Sequence, residues 1–244
     1  MKLKGLNGLL PVGLLGILLL VTACGDGVKI SIELDEEAHN ISDVQSQDGW
    51  KLLFDGATLD GWNVQNSNTW MVKDNALTVQ GVGDIWTKKQ FGDFVLECDF
   101  NISTKCNSGI YIRTGDTEDA VQTGLEIQLL DGAIKPKYRR NACGAIYDCL
   151  APAQVVVKAA GEWNQTRITC CDNRITVVMN DVPIIDMDVN RWDTPGQNPD
   201  GTSNKFSRAI KDLPRSGFIG FRYQMKKQYQ GHPVWLRNIR IKEL

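Results

Sequence analysis

Beyond Trp50 the chain alternates apolar and polar residues with a period of two, the spacing that sends successive side chains to opposite faces of a β-strand. The clearest run is 94–100, where Phe94, Leu96, Cys98 and Phe100 share one face. Shorter strands are predicted over 50–54, 69–72 and 76–80, the last two flanking Lys73-Asp74-Asn75, a hairpin signal. A three-stranded meander follows over 166–171, 174–179 and 183–189, broken by Asp172-Asn173 and Asn180-Asp181, residues suited to tight turns. Strands over 217–223 and 234–241 close the pattern. Helical periodicity is absent past the N-terminal apolar run. The stretch 193–212, rich in Pro, Gly, Asn and Ser, reads as a long surface loop of the kind that often borders a site. Many short strands without a linker predict one all-β sandwich over residues 48–244.

The pattern centres on two strands, 109–113 and 124–131. Leu125, Ile127 and Leu129 point into a core, so Glu126 and Gln128 project together from the other face. In the earlier strand Ile110 and Ile112 point in and Tyr111 and Arg113 point out. If these strands are neighbours, one sheet face carries an acid, an amide, a phenol and a guanidinium, with Asn107 beside them. Such a set suits a polar ligand the size of a sugar.

Composition narrows the chemistry. Lys and Arg number 27 against 29 Asp and Glu, which leaves no basic field for a nucleic acid partner. Only two histidines occur, His39 and His232, so a His-rich metal centre is excluded. An oxygen-ligand site for a divalent metal stays open, with Glu126, Gln128 and Asp131 as its candidate ligands. Tyr147, Trp86 and Trp235 are candidate stacking platforms for sugar rings.

The N-terminus reads as an export signal. Lys2 and Lys4 precede an apolar run over 9–23 that contains Pro11, Gly13 and Gly16 and is too short for a comfortable membrane span. It ends at Val21-Thr22-Ala23-Cys24, similar to a bacterial lipobox. The expectation is a signal peptide over 1–23, lipidation of Cys24 and an acidic tether over 24–47. The protein would then be exported and anchored by lipid to a bacterial membrane, on its periplasmic or surface side, the anchor being its only membrane contact. The remaining cysteines, Cys98, Cys106, Cys143, Cys149, Cys170 and Cys171, are read as structural, paired or buried, and Cys143 and Cys149 bracket a short loop.

Specific strings resemble the 3-keto-disaccharide hydrolase domain family. They are WKLLFDGATLDGW, FGDFVLECDFN, NSGIYIR, TGLEIQLLD, GAIY with AP shortly after, GEWN, GFIGF and HPVWLRNIRIKEL, in the family's order from about 48 to 244. The resemblance implies a concanavalin A-like jelly-roll β-sandwich acting on a carbohydrate whose sugar carries a ketone at carbon 3. Such a ketone acidifies the hydrogen on carbon 2; a base removes it, the enolate expels the substituent at carbon 1, and water then adds. Glu126 is the candidate base and Arg113 the candidate partner of the enolate oxygen. His232 is placed to protonate the leaving oxygen, with Asn107, Tyr111, Gln128, Tyr147 and Trp235 binding substrate. The chain departs from the family in two places. The usual Gln-Asp-His-Gly run is altered, so its His corresponds to Gln224 or Gln230, or is supplanted by His232. Asp148 and Cys149 also stand where a Gly is usual. Two alternatives accompany this reading. Glu126-x-Gln128-x-x-Asp131 is similar to the E-x-D-x-x-E of concanavalin A-like retaining glucanases, which needs a bulge to align its acids. The other is a non-catalytic, lectin-like module.

Overall fold

The computed structural model describes residues 48–65, 69–79, 81–223 and 231–244. The signal, Cys24 and tether (1–47), and also Gln224 and Gln230, lie outside the described residues. In chain order the strands are β1 Trp50–Leu52, β2 Trp62–Val64, β3 Trp70–Lys73, β4 Ala76–Val79 and β5 Ile85–Phe91. Then come β6 Phe94–Ile102 and β7 Asn107–Thr114, a single helical turn α1 at Ala120–Thr123, and β8 Leu125–Leu130. The meander is β9 Trp163–Cys171, β10 Arg174–Met179 and β11 Val182–Asp188, and β12 Gly217–Tyr223 and β13 Val234–Glu243 complete the set. The turns fall where their residues allow a left-handed backbone: Asp74 and Asn75 at φ 53° and 58°, Asn180 and Asp181 at 50° and 64°.

Two antiparallel sheets result. The larger runs β11-β10-β9-β6-β13-β4-β3, with β1 on β13; the smaller runs β2-β5-β12-β7-β8. They form the all-β jelly-roll sandwich expected. Phe94, Leu96, Phe100 and Ile102 of β6 face Ile110, Ile112, Ile127, Leu129 and Phe221 of the smaller sheet, all fully buried in one core.

Strand β8 is buried along its whole length, on both faces. Segment 144–147 seals its outer edge: Gly144 N donates to Gln128 O, Gln128 N to Ala145 O and Tyr147 N to Glu126 O. The stretch 193–212 is the surface loop expected, mostly exposed and pinned by a few anchors: Phe206 and Ile210 sink into the core, and the buried Asn198 Nδ2 donates to Asp148 O. All six described cysteines are free; five are buried and Cys171 is exposed.

Candidate active site

The outer face of the smaller sheet is assembled row by row. Trp86, Gly220, Tyr111 and Glu126 are successive cross-strand partners on β5, β12, β7 and β8. The next row is Arg222, Gly109 and Gln128. Large residues thus alternate with glycines, and the large ones lie down over the gaps. The Trp86 ring covers Gly220, and the Glu126 carboxyl covers Gly109, whose hypothetical Cβ would stand 2.7 Å from Glu126 Cγ. Any side chain at Gly109 would push the carboxylate off the sheet.

So placed, Glu126 Oε2 lies 3.7 Å from Arg222 Nη1 and 3.9 Å from Lys205 Nζ. Arg222 Nη1 donates to Tyr111 Oη at 2.5 Å, and Gln128 Nε2 donates to Asn107 Oδ1 at 3.0 Å. Glu126 is 5% exposed and Tyr111 fully buried. Burial pushes the Tyr111 phenol well up, and the Glu126 charge adds to this. Burial likewise lowers the Lys205 pKa, against the pull of Glu126. Burial works against Arg222 too, but Glu126, Tyr111 and Asp84 keep its pKa raised. Asp84, just ahead of β5, is pushed up to about 6 by burial, with Arg222 lowering it, Glu126 raising it and the Tyr223 N–H bonded to it. Among the described residues Trp86 Nε1 is buried without a hydrogen-bond partner, a donor left for a ligand or water.

Asn107, Tyr111, Glu126 and Gln128 therefore share a face as the alternation predicts, and the Tyr147 ring lies beside it, its centroid 5.1 Å from Lys205 Nζ. Arg113 does not. It adopts φ 50°, and the β7–β12 register slips between Phe218 and Gly220, so its side chain leaves the row. Its guanidinium, 3% exposed, is held by Gly92 O, Asp172 O and the Asp93 carboxylate. Arg222 occupies the place foreseen for it. Trp235 alternates with buried Val234 and Leu236 on β13, so it projects from the larger sheet, on the opposite side of the sandwich. His232 is fixed through its peptide N–H to Tyr223 Oη at 3.0 Å; among the described residues no hydrogen bond or ion pair joins its ring to Glu126.

The metal set does not converge. The β7–β8 register runs without a bulge from Leu125 to Leu130, so Asp131 parts from Glu126 and Gln128. Its carboxylate accepts instead from Lys105 N at 2.8 Å and Ala133 N at 3.1 Å. Two cations already flank Glu126, which opposes a third there. Among the described residues no cluster of three His, Cys, Asp or Glu suits a metal. The same straight register removes the third acid that the glucanase reading needs.

Sequence reasoning missed Lys205, Arg222 and Asp84. Arg222 was open to it, since Phe218, Gly220 and Arg222 alternate with Ile219 and Phe221. Lys205 and Asp84 lie outside regular strands and carry no periodic signal. A groove of about 500 Å³ lies on the other sheet, lined by Glu97, Asp99, Gln165, Arg167, Asn238 and Arg240. Its acids are already paired: Glu97 is bonded by both Arg167 and Arg240, and Asp99 pairs with Arg237 and accepts from Asn238. On the Glu126 face the Trp86 Nε1 donor has no acceptor among the described residues.

Comparison with known proteins settles the lineage. Residues 49–242 match the model of the 3-keto-alpha-glucoside-1,2-lyase-like domain. The chain belongs to that family. A 3-keto-disaccharide hydrolase of Bacteroides thetaiotaomicron is 24% identical over 229 residues, spanning 81% of this chain and 79% of the relative. A crystal structure of a proposed glycosyl hydrolase from Parabacteroides distasonis is 33% identical, with TM-score 0.74 over 80% of this chain and 99% of that one. A second proposed glycosyl hydrolase from that organism, 23% identical with TM-score 0.64 over 80% and 94% of the two chains, shares the fold. Within this family the Asp148 departure is conformationally cheap. Asp148 sits at φ 66°, a backbone that glycine adopts freely and Asp tolerates, and its carboxylate pairs with Arg140 at 3.4 Å.

Proposed function

We propose that the protein cleaves glycosides bearing a ketone at carbon 3, by proton abstraction at carbon 2 and elimination at carbon 1. The observation that carries this reading is the Glu126 carboxylate, laid over Gly109 between two cations and beside a buried phenol. Glu126 takes the carbon 2 proton, and the electron pair of that C–H bond moves toward the ketone oxygen. Cationic neighbours lower the energy of the resulting enolate more than that of the neutral ketone, which is what accelerates the step. The enolate re-forms its carbonyl as the bond from carbon 1 to the leaving oxygen breaks. Asp84, at about 6, still carries its proton in part near neutral pH and gives it to that oxygen. Water then adds at carbon 1 and a proton returns to carbon 2, so the net reaction is hydrolysis. Export and anchoring through Cys24 complete the proposal and rest on the order of basic, apolar and lipobox residues over 1–24.

The test is Glu126→Gln, which keeps the shape and removes the base. Release of aglycone from a 3-keto-glucoside should stop, with folding stability within about 1–2 kcal/mol of the parent. Unchanged turnover would refute the base assignment. Parent protein that binds both keto and unoxidised disaccharides and cleaves neither would be a lectin, and cleavage of the unoxidised sugar alone would mark a glucanase.

A further inference from the structure

Lys205 is an unusual ammonium. Its side chain is 15% exposed, and its nearest anion is Glu126 at 3.9 Å, outside hydrogen-bonding distance. Around it lie the rings of Tyr147 and Phe206, with centroids 5.1 and 5.2 Å from Nζ. An ammonium has three N–H donors, and among the described residues none reaches an acceptor. Such a group is costly to bury unless something completes it.

Its backbone, by contrast, is clamped on both sides. Gln122 of α1 donates through Nε2 to Lys205 O and accepts through Oε1 from Ser207 N, both at 2.8 Å. Asn204 Oδ1 accepts from Phe206 N at 3.0 Å, and the Phe206 side chain is 1% exposed. The fold fixes where the stem starts and leaves the charged tip unsatisfied beside the candidate base. Arg222, the other cation, is already engaged by Tyr111 Oη and shared between Glu126 and Asp84. Among the described residues of this face, Lys205 joins a clamped root to an ammonium whose three donors are all unused.

We propose that the Lys205 ammonium receives the ketone oxygen of the substrate and carries the enolate charge that develops on it. This rests on the keto-glycoside reading above and adds to it the group that selects a ketone. The substrate oxygen supplies the acceptor that the free site lacks. As the carbon 2 proton leaves for Glu126, the acceptor of the hydrogen bond from Nζ becomes an anion, and the bond strengthens and shortens. Nothing is transferred from Nζ: the ammonium keeps its protons, and the enolate returns to a ketone when the leaving group departs. Sugars with a hydroxyl at carbon 3 form no enolate and gain nothing from this contact in the transition state.

The experiment uses Lys205→Met and Lys205→Arg with two readouts. The first is turnover of a 3-keto-glucoside. K205M should lose about 10²–10³ in kcat, the usual loss for one donor to a developing oxyanion, with a smaller rise in KM for the lost contact to the neutral ketone. K205R should recover part of it. Because the methionine removes a desolvated charge, K205M should melt no lower than the parent, whereas a merely structural lysine would lower Tm and leave kcat per folded molecule alone. The second readout is affinity for a 3-keto sugar with hydrogen at carbon 1, which cannot eliminate, against its carbon 3 alcohol. The parent should prefer the ketone and K205M should not. K205M turnover within threefold of the parent, or an unchanged preference for the ketone, would overturn the assignment. If the parent cleaves no keto-glycoside, the functional reading fails on its own; the affinity comparison then still decides Lys205, equal preference in parent and variant refuting it.

Discussion

Asp84 gives the sharpest thermodynamic prediction because its cost can be worked out and switched by pH. Its ordinary pKa of 3.8 is raised to about 6 in the folded chain. The causes are burial and the Glu126 charge, only partly offset by Arg222 and the Tyr223 N–H. A carboxyl raised in this way favours the fold while it holds its proton, in full below pH 3.8. That contribution is lost as the pH climbs to about 6 and the native state must hold a poorly solvated anion. The gap between the two pKa values corresponds to about 3 kcal/mol at 1.36 kcal/mol per unit, an upper figure because the group is only partly buried.

Asp84→Asn removes the charge while its amide oxygen can still accept from Tyr223. The variant should gain up to about 3 kcal/mol on the parent between pH 3.5 and pH 7.5, with the rise falling between pH 4 and 6. At neutral pH that amounts to roughly 6–12 °C in Tm for a domain of this size. Denaturant unfolding at a series of pH values reads the difference directly, and m should not change. Turnover should fall in the same variant, since the proton for the leaving oxygen is gone. A stability difference that is flat with pH would refute the reasoning, because no shifted titration would then be at work. More stable yet less active is the signature of a group held in an unfavourable state for chemistry.

Three further substitutions separate the scaffold from the site. Arg113→Met breaks a buried guanidinium with three acceptors and should cost about 2–4 kcal/mol in urea unfolding while leaving kcat per folded molecule unchanged. Arg222→Met should do the reverse, lowering kcat by about 10² with a smaller loss of stability; equal effects from both arginines would show that the two roles are misassigned. Gly109→Ala sets a methyl against the Glu126 carboxyl, so stability should drop by about 1–3 kcal/mol and turnover with it; full activity would mean that the carboxyl works from elsewhere.

These residues also show how far a linear pattern reaches. A period of two identifies the side of a strand that is buried, because only one face can join the core, and this placed Glu126, Gln128, Tyr111 and Asn107 together. It does not survive a local slip. One residue in the left-handed region took Arg113 out of step, and arginine, unlike glycine or asparagine, gives no warning of that conformation. Nor does the pattern say which sheet a strand joins. Trp235 points outward as its alternation requires, yet from the sheet opposite the site. Arg222 stands in an equally regular strand and becomes a site residue only because β12 lies beside β7, more than a hundred residues earlier in the chain. Strand neighbours so distant are chosen by packing of the whole core. Loops such as the one bearing Lys205 are placed by buried anchors and side-chain clamps that have no period at all. The position of Glu126 was therefore legible from its own strand, whereas its electrostatic surroundings come from strand pairing and loop docking, which a single sequence does not encode locally.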